Sequence, residues 1–186
     1  MNRKETILFG GTFDPPHVGH VLGVAWLLSA FAADVWIEPV DHHVLGKQPL
    51  PFATRQRWSQ LAFGIFGPRV TVRDDETRAE ASGATIDLVR YLLAQHPDRT
   101  FRLAIGSDIL AERHRWRDFS GLTALAPLIV LPRPGFAIPP DVEGILAPVE
   151  LPDVSSTSLR ADWQAGRSLV GRVPAAVVAE MGAYVG

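Results

Sequence analysis

The sequence predicts an α/β fold in which helices cover both faces of an open parallel sheet. Short apolar segments with the character of buried strands alternate with longer helical segments along the whole chain. This alternation is typical of a parallel sheet, because parallel neighbours need a crossover connection, usually a helix. The 186 residues contain no repeat and no low-complexity tract, and this length suits one core. We therefore expect a single domain over residues 1–186.

The individual elements follow from apolar runs that are bounded by polar residues, glycine or proline. The predicted strands are Thr6–Phe9, Asp34–Pro39, Val70–Arg73, Phe101–Ile105 and Pro127–Leu131, with Ile145–Val149 as a further candidate. The predicted helices are Val21–Phe31, Ala53–Phe63, Ile86–Gln95, Thr157–Gln164 and Pro174–Tyr184. The proline-rich stretch 132–140 resembles a linker, but it is too short to require a second domain.

The composition argues against several classes of protein. There is no cysteine, which excludes disulfides and thiolate metal sites and suits a cytoplasmic protein. The apolar run near the N-terminus is too short for a signal peptide, and no stretch approaches the roughly 20 apolar residues of a membrane span. The net charge is −2, and the lysines and arginines are dispersed, unlike those of nucleic-acid binders. We expect no nucleic-acid or membrane partner, and the sequence leaves the oligomeric state open.

The segment ILFGGTFDPPHVGH, Ile7–His20, joins the first predicted strand to the first predicted helix. Ligands of open parallel sheets bind beyond the carboxyl ends of the strands, where this segment lies. Gly10 and Gly11 would let a ligand approach the backbone closely. His17 and His20 are three positions apart at a helix start, so both should lie on one face, where the helix terminus favours an anion. The segment therefore predicts a polyphosphate site with two imidazole donors.

Each residue of this segment, taken alone, also fits an ordinary structural role. Glycines after a strand commonly form turns, and a histidine pair can bind a metal, although no third ligand of suitable spacing is nearby. The dinucleotide fingerprint G-x-G-x-x-G and the P-loop lysine with Ser or Thr are both absent. Gly19 is expected to leave room for a ligand close to the helix. The complete string is more specific than any one of its residues.

The string GGTFDPPHVGH resembles the T/H-x-G-H signature of the nucleotidylyltransferase superfamily, and it is most similar to the nicotinate-nucleotide adenylyltransferase family. Near the other end, VSSTSLR, Val154–Arg160, is similar to that family's I-S-S-T-x-I-R signature. Between them, GSDIL with the later Trp116, RPG at Arg133–Gly135 and the helix around Arg55 also match. The resemblance covers nearly the whole chain and implies the Rossmann-like nucleotidylyltransferase fold.

The sequence departs from this family on the acceptor side. The family's P-P-H-K loop after the second strand is replaced by DHHVLGKQPLPF, in which Lys47 is the candidate match. The family's S-Y-T segment reads SGATID, in which Ala84 replaces tyrosine and Thr85 is retained. The ATP side shows no such departure. The resemblance therefore supports adenylyl transfer more strongly than it identifies the acceptor.

The implied reaction is adenylyl transfer from ATP to nicotinate mononucleotide, which gives nicotinate adenine dinucleotide and pyrophosphate in NAD biosynthesis. The nucleophile is the acceptor's own phosphate, which is anionic at neutral pH and needs no general base. The protein then has to position two polyanions in line and neutralise charge. The alternatives are another acceptor, such as nicotinamide mononucleotide or phosphopantetheine, and a non-catalytic nucleotide-binding protein.

The resemblance also assigns roles to the matching residues. The implied catalytic residues are His17, His20 and Arg160. The implied ATP and phosphate ligands are Gly10, Gly11, Thr12, Phe13, Ser156, Thr157 and Arg160. The implied acceptor ligands are Lys47, Thr85, Asp108, which would bind a ribose hydroxyl, and Trp116, which would stack on the pyridine ring. Mg²⁺ would be held mainly by the ATP phosphates, because it retains waters and takes few protein ligands.

Two further expectations concern acidic groups. Asp14 is expected to stabilise the first loop through local backbone hydrogen bonds rather than to bind metal. Nicotinate is expected to be preferred over nicotinamide, since no acidic residue replaces the missing tyrosine at Ala84. Backbone N–H groups around Ala84 and Thr85 could then bind the pyridine carboxylate and discriminate it from an amide.

Overall fold

The computed structural model describes residues 3–41, 49–79 and 83–184 and contains a six-stranded parallel sheet. Its strands are β1 Lys4–Gly11, β2 Asp34–Pro39, β3 Val70–Val72, β4 Arg99–Gly106, β5 Leu128–Leu131 and β6 Ile145–Leu146. Their order across the sheet is β3-β2-β1-β4-β5-β6, and every neighbouring pair is parallel. The predicted open parallel sheet is confirmed. The order in which successive strands are added to the sheet reverses between β1 and β4. Open parallel sheets bind ligands at this kind of boundary.

The helices lie on both faces of this sheet. They are α1 Val18–Ala30, α2 Phe52–Phe63, α3 Asp75–Arg78, α4 Thr85–Gln95, α5 Ser107–Leu110, α6 Phe119–Leu125, α7 Ser156–Gln164 and α8 Ala175–Tyr184, with 3₁₀ turns at Gly64–Arg69 and Arg113–Arg115. The five longer predicted helices are all present at similar bounds. The sequence did not predict α3, α5 and α6, because helices this short do not show a full apolar period. In the described part of the chain, no helix is long and apolar enough to cross a membrane.

Two apolar cores sandwich the sheet, because successive strand residues point to opposite faces. Ile7 and Phe9 of β1 face a core that α1, α2, α7 and α8 complete. Leu8 lies between them in sequence and faces the other core, to which α4 and α6 contribute Leu92 and Leu122. The same alternation operates at the end of β2, where Ile37 enters the first core and Glu38 points to the face of the second. Burial on both faces holds the carboxyl ends of β1, β2 and β4 at one edge.

Candidate active site

Two adjoining cavities open at the carboxyl ends of β1 and β4. The larger has a volume of about 360 Å³ and the smaller of about 200 Å³. Both are lined by the β1 segment 10–12 and by Gly106 at the end of β4. The ends of these two strands therefore lie between the cavities, which can hold two ligands side by side at the predicted edge of the sheet.

The loop after β1 is built around the side chain of Phe13. This residue has a left-handed backbone conformation with φ 51°, and its buried ring makes edge contacts with Phe63 at 5.5 Å and with His20 at 5.0 Å between centroids. A Cβ on Gly11 would lie 2.9 Å from the Phe13 ring, while a Cβ on Gly10 would make only an ordinary contact, 3.9 Å from the Glu38 carbonyl oxygen. Gly11 is thus required by the Phe13 ring, whereas Gly10 leaves the backbone accessible from the cavities.

His17 and His20 lie on one face at the start of α1, as their spacing predicts. Their rings stack with centroids 3.7 Å apart and 24° between planes. The His17 backbone N–H donates to Nδ1 of His20 at 3.2 Å, so neutral His20 carries its hydrogen on Nε2. A Cβ on Gly19 would lie 3.2 Å from the His17 ring. Gly19 therefore makes room for His17 and not, as expected, for the ligand.

Both imidazoles are neutral at neutral pH. Burial and the nearby Arg133 lower the pKa of His17 to about 3. Burial, His17 and Arg133 lower the pKa of His20 well below its usual value. Each neutral ring offers a single N–H donor. The histidines therefore contribute hydrogen bonds to the larger cavity, and its positive charge comes from Arg133 and Arg160, which line it.

The N-terminus of α7 meets the loop after β1. Arg160 Nη1 donates to the carbonyl oxygen of Asp14 at 2.7 Å, and Ser156 Oγ donates to that of Pro15 at 2.9 Å. The N-cap of α7 is Ser155, whose Oγ accepts from the Ser158 N–H at 3.2 Å. Ser156 and Thr157 are thus not needed as caps, and both line the larger cavity. The two predicted phosphate motifs, at opposite ends of the sequence, form one site.

Asp14 does not stabilise its loop through local bonds, so that expectation was wrong. Its side chain is buried, and Oδ2 accepts from the Leu50 N–H at 3.3 Å and lies 3.5 Å from Arg160 Nη1. The contacts run to the segment before α2 and to α7, because the folded loop turns the carboxylate away from its own backbone. Asp14 therefore links three segments around the larger cavity.

The predicted acceptor residues divide between the two cavities. Thr85, at the start of α4, and Trp116 line the smaller cavity, whereas Asp108 of α5 lines the larger. Lys47 lies outside the described residues. The smaller cavity is also lined by Glu38, Glu76 and Glu112. These carboxyl groups come from β2, α3 and the turn after α5 and meet only in the folded chain, so the sequence around Ala84 did not indicate them.

Comparisons with known proteins identify the family. A family model described as cytidylyltransferase-like matches residues 8–162. The chain is 38% identical over 189 residues to a probable nicotinate-nucleotide adenylyltransferase of Anaeromyxobacter dehalogenans, with 98% of each chain covered. It is 34% identical to a probable nicotinate-nucleotide adenylyltransferase of Myxococcus xanthus, with 94% of this chain and 90% of the relative covered. The chain belongs to the nicotinate-nucleotide adenylyltransferase family.

Solved structures share the fold of this adenylyltransferase. The nicotinic acid mononucleotide adenylyltransferase of Plasmodium falciparum, complexed with NaAD, matches with a TM-score of 0.82 over 97% of this chain and 96% of that one. The sequences are 18% identical, so this likeness concerns the fold. Family membership, carried by the closer sequence relatives, makes the chain a nucleotidyltransferase.

Arg55 is a positioning residue of this adenylyltransferase that the sequence analysis did not assign to the site. The residue is 1% exposed, and its guanidinium donates to three carbonyl oxygens, those of Thr12, Val40 and Leu50, each at 2.8 Å. It ties the loop after β1 to the chain that follows β2. The available signal was its place in a helix that resembles the family pattern.

Arg133 is the second residue that sequence reasoning missed. It follows β5 and lines the larger cavity, where its Nη2 donates to the Val154 carbonyl at 2.5 Å and its Nε lies 3.8 Å from Asp108 Oδ1. Its backbone N–H donates to Ser107 Oγ at 2.9 Å. The RPG match indicated this position, but only the folded chain shows that the cation faces the histidines.

The carboxylates of this site suit a Mg²⁺ ion that is held mainly by phosphates. No group of three or more His, Asp or Glu side chains that could bind a metal occurs within residues 3–41, 49–79 and 83–184. Asp14 and Asp108 line the larger cavity, and Oδ1 of Asp14 has no hydrogen-bond partner there. Mg²⁺ typically uses one or two carboxylates together with phosphates and water. The residues present are compatible with that arrangement.

Proposed function

We propose that this protein transfers the adenylyl group of ATP to nicotinate mononucleotide, with release of pyrophosphate, in NAD biosynthesis. The observation that carries the proposal is the convergence of His17, His20 and the α7 residues Ser156, Thr157 and Arg160 on one cavity. A second cavity adjoins it across the ends of β1 and β4. The names of the sequence relatives support nicotinate mononucleotide as the acceptor.

The proposed step is an in-line displacement at the α-phosphorus of ATP. An oxygen of the acceptor phosphate attacks this phosphorus, and the bond from it to the oxygen that bridges to the β-phosphorus breaks. Pyrophosphate leaves with that electron pair. The attacking phosphate is already ionised, so the site needs positioning and charge neutralisation rather than a base. A step that needs no general base agrees with this site, in which two neutral histidines each present one N–H donor.

The residues of the larger cavity would divide the phosphate contacts among them. His17 and His20 would donate to oxygens at the α–β bridge, where negative charge develops. Ser156, Thr157 and Arg160 would bind the β- and γ-phosphates at the N-terminus of α7, where the helix dipole favours anions. One N–H of Arg160 is held by the Asp14 carbonyl, and the guanidinium has further donors for phosphate. The backbone of residues 10–13 would contact the remaining phosphate oxygens.

We propose Mg²⁺ as the cofactor, bound through the phosphates, with Asp14 and Asp108 as the nearby carboxylates. When bound, the ion neutralises charge on the polyphosphate. In the smaller cavity, Trp116 would stack on the pyridine ring and the N–H groups around Thr85 would contact its substituent. Asp108, which borders the larger cavity, would bind a ribose hydroxyl. The partners are thus ATP and a mononucleotide, and we place the reaction in the cytoplasm.

Pyrophosphate release in the presence of ATP, Mg²⁺ and a panel of acceptors tests this proposal. The panel contains nicotinate mononucleotide, nicotinamide mononucleotide and phosphopantetheine. We expect nicotinate mononucleotide to be converted, with nicotinate adenine dinucleotide formed in equal amount to pyrophosphate. Release with phosphopantetheine alone would assign the chain to another acceptor. No release with any acceptor would contradict an enzymatic role and favour a nucleotide-binding protein.

A further inference from the structure

Gly23 is a glycine in the interior of α1, where an alanine would suit the helix better. It lies three positions after His20 and is buried. Glycine loses more backbone freedom on folding than any other residue, so it is less favourable than alanine inside a helix. The helix continues to Ala30, so Gly23 does not end it. The close packing around Gly23 is the feature that calls for a residue without a side chain.

The three atoms nearest to a Cβ at Gly23 all belong to residues that line the larger cavity. This Cβ would lie 3.1 Å from Leu131 Cδ1, 3.7 Å from Phe9 Cζ and 3.9 Å from Leu151 Cδ1. The first distance is shorter than an ordinary contact between carbon atoms, whereas the other two are ordinary. Phe9, Leu131 and Leu151 line the larger cavity. The apolar wall that these three side chains form therefore packs against α1 at Gly23.

This wall belongs to the same cavity as the predicted phosphate ligands. The ring of Phe9 makes an edge contact with that of His20, with centroids 6.1 Å apart. The Leu151 N–H donates to the carbonyl oxygen of Pro132 at 3.0 Å, which holds Leu151 beside Leu131 at the end of β5. Ligand pockets combine a few polar groups with an apolar lining that takes the flat part of the ligand. A nucleotide whose phosphates contact His20 can therefore place its base against this wall.

We propose that Gly23 is a positioning residue that sets the depth of the apolar end of the larger cavity, and with it the room for the base of ATP. The proposal rests on the adenylyl transfer proposed above and deepens it at the ATP site. A side chain at this position would displace Leu131 by a few tenths of an ångström. Packed interiors have little free volume, and the free volume that Leu131 borders is the cavity. The displaced side chain would therefore move into the space that the base needs.

Gly23→Ala tests this inference with the smallest side chain. We expect it to raise the KM for ATP about 5- to 30-fold, since one methyl group can have an effect of this size on an apolar pocket. The KM for the mononucleotide should change little, because Gly23 packs against the wall of the larger cavity. A purely structural role would not separate the two KM values.

Gly182→Ala is the matched control. It makes the same change inside α8, where the described part of the chain places no other segment within 4 Å of the new Cβ. We expect the control to keep both KM values and to raise the melting temperature by about 1–4 °C, through the better helix propensity of alanine. Any effect of Gly23→Ala beyond that of the control comes from the packing around Gly23.

The reverse reaction separates the base from the phosphates. Pyrophosphate carries no base, so its KM should be the same in Gly23→Ala and in the unmodified protein. The KM for the dinucleotide, which carries adenine, should rise. The double variant Gly23→Ala/Leu131→Val removes the Cδ1 atom that the new Cβ meets, and valine suits a strand. We expect its KM for ATP to return to within a few fold of that of Leu131→Val alone.

Several results would overturn the inference. One is a KM for ATP in Gly23→Ala equal to that of the control, and another is an equal rise in the KM values of ATP and the mononucleotide. A rise for pyrophosphate as large as that for the dinucleotide, or no recovery in the double variant, would count against it equally. Thermal denaturation checks folding. A Gly23→Ala variant that does not fold would also overturn the inference, because the cavity would then have failed to take up the displaced side chain.

Isothermal titration with ATP and Mg²⁺ distinguishes a failure of this inference from a failure of the proposed function. If the unmodified protein binds ATP but transfers nothing to any acceptor, the proposed function fails. Weaker ATP binding by Gly23→Ala than by Gly182→Ala would still support the inference in that case. If the unmodified protein transfers the adenylyl group and both variants bind ATP equally well, the proposed function holds and the inference is overturned. No ATP binding by the unmodified protein would overturn both.

Discussion

The imidazole rings of His17 and His20 stack 3.7 Å apart, and the His17 backbone N–H donates to Nδ1 of His20 at 3.2 Å. This hydrogen bond orients the second ring and leaves its Nε2–H as the free donor. The edge contact of His20 with Phe13, 5.0 Å between centroids, holds the ring from another side. The donor is therefore positioned before any ligand binds, which is the condition for transition-state stabilisation by a neutral group.

Loss of this donor should affect the chemical step more than ATP binding. We expect His20→Ala to lower kcat about 10²- to 10³-fold, with a smaller rise in KM for ATP. The amide of His20→Gln can reach near the Nε2 position, while that of His20→Asn reaches only near Nδ1, so the glutamine variant should retain more activity. Steady-state kinetics of the three folded variants checks this order. A near-normal kcat in the alanine variant would rule out the proposed role.

Acid should destabilise the protein through the buried histidines. The folded-state pKa of His17 is about 3 and the unfolded value is 6.5, so between these values the unfolded chain binds a proton that the folded chain does not. The stability that neutral His17 contributes to the folded chain is present above the unfolded pKa and is lost as the pH falls toward 3. Melting temperatures from pH 8 to pH 4 should fall less steeply for a folded His17→Asn variant. Parallel pH profiles for the two proteins would contradict this expectation.

Arg160 should contribute to ATP binding through its geometry as well as its charge. We expect Arg160→Ala to weaken ATP binding, and Arg160→Lys to be impaired as well, because an ammonium lacks the planar fork that binds phosphate. Arg167→Ala is the control, since Arg167 lies outside the larger cavity and pairs with Asp162 at 2.7 Å. Isothermal titration with ATP and Mg²⁺ measures the difference. Equal ATP affinity in Arg160→Ala and the control would exclude the contact.

Arg55 should support both stability and the ATP site. Arg55→Leu leaves three carbonyl oxygens without their donor, and we expect it to lower the free energy of unfolding by roughly 3–5 kcal/mol. Arg57→Leu on the same helix removes an exposed ion pair with Glu180 and should cost less than about 1 kcal/mol. Urea denaturation compares the two variants. Similar losses for both would show that the buried hydrogen bonds of Arg55 contribute little.

Trp116 should act on the mononucleotide alone. It lines the smaller cavity and not the larger one, and its ring contacts Phe119 with centroids 6.1 Å apart. We expect Trp116→Ala to raise KM for the mononucleotide several-fold or more, since an aromatic stack on a base contributes about 1–3 kcal/mol. The KM for ATP should change little. Initial rates with each substrate varied in turn test this, and an equal rise in both KM values would place Trp116 between the two substrates.

Local sequence patterns were sufficient for the sheet and for the two segments that line the larger cavity. The apolar run of β1, the glycines that end it and the histidine spacing of α1 are all read from neighbouring residues. The same holds for SSTSLR at the start of α7. Since parallel strands bring their carboxyl ends to one edge, these local features also indicated where the site lies. The predicted meeting of both motifs appears in the hydrogen bond from Arg160 to the Asp14 carbonyl.

The surroundings of the smaller cavity and the support of the site were decided by the tertiary structure. Glu38 has the sequence context of a strand residue, and burial together with Asp75 and Glu76 of α3 raises its pKa well above the usual value. Likewise, burial and the charge of Arg133 lower the pKa values of two histidines that lie far from Arg133 in sequence. Burial and long-range charge depend on which distant segments meet. The chain therefore encodes its fold and its two motif segments locally, while the charge environment of the smaller cavity arises from contacts between distant segments.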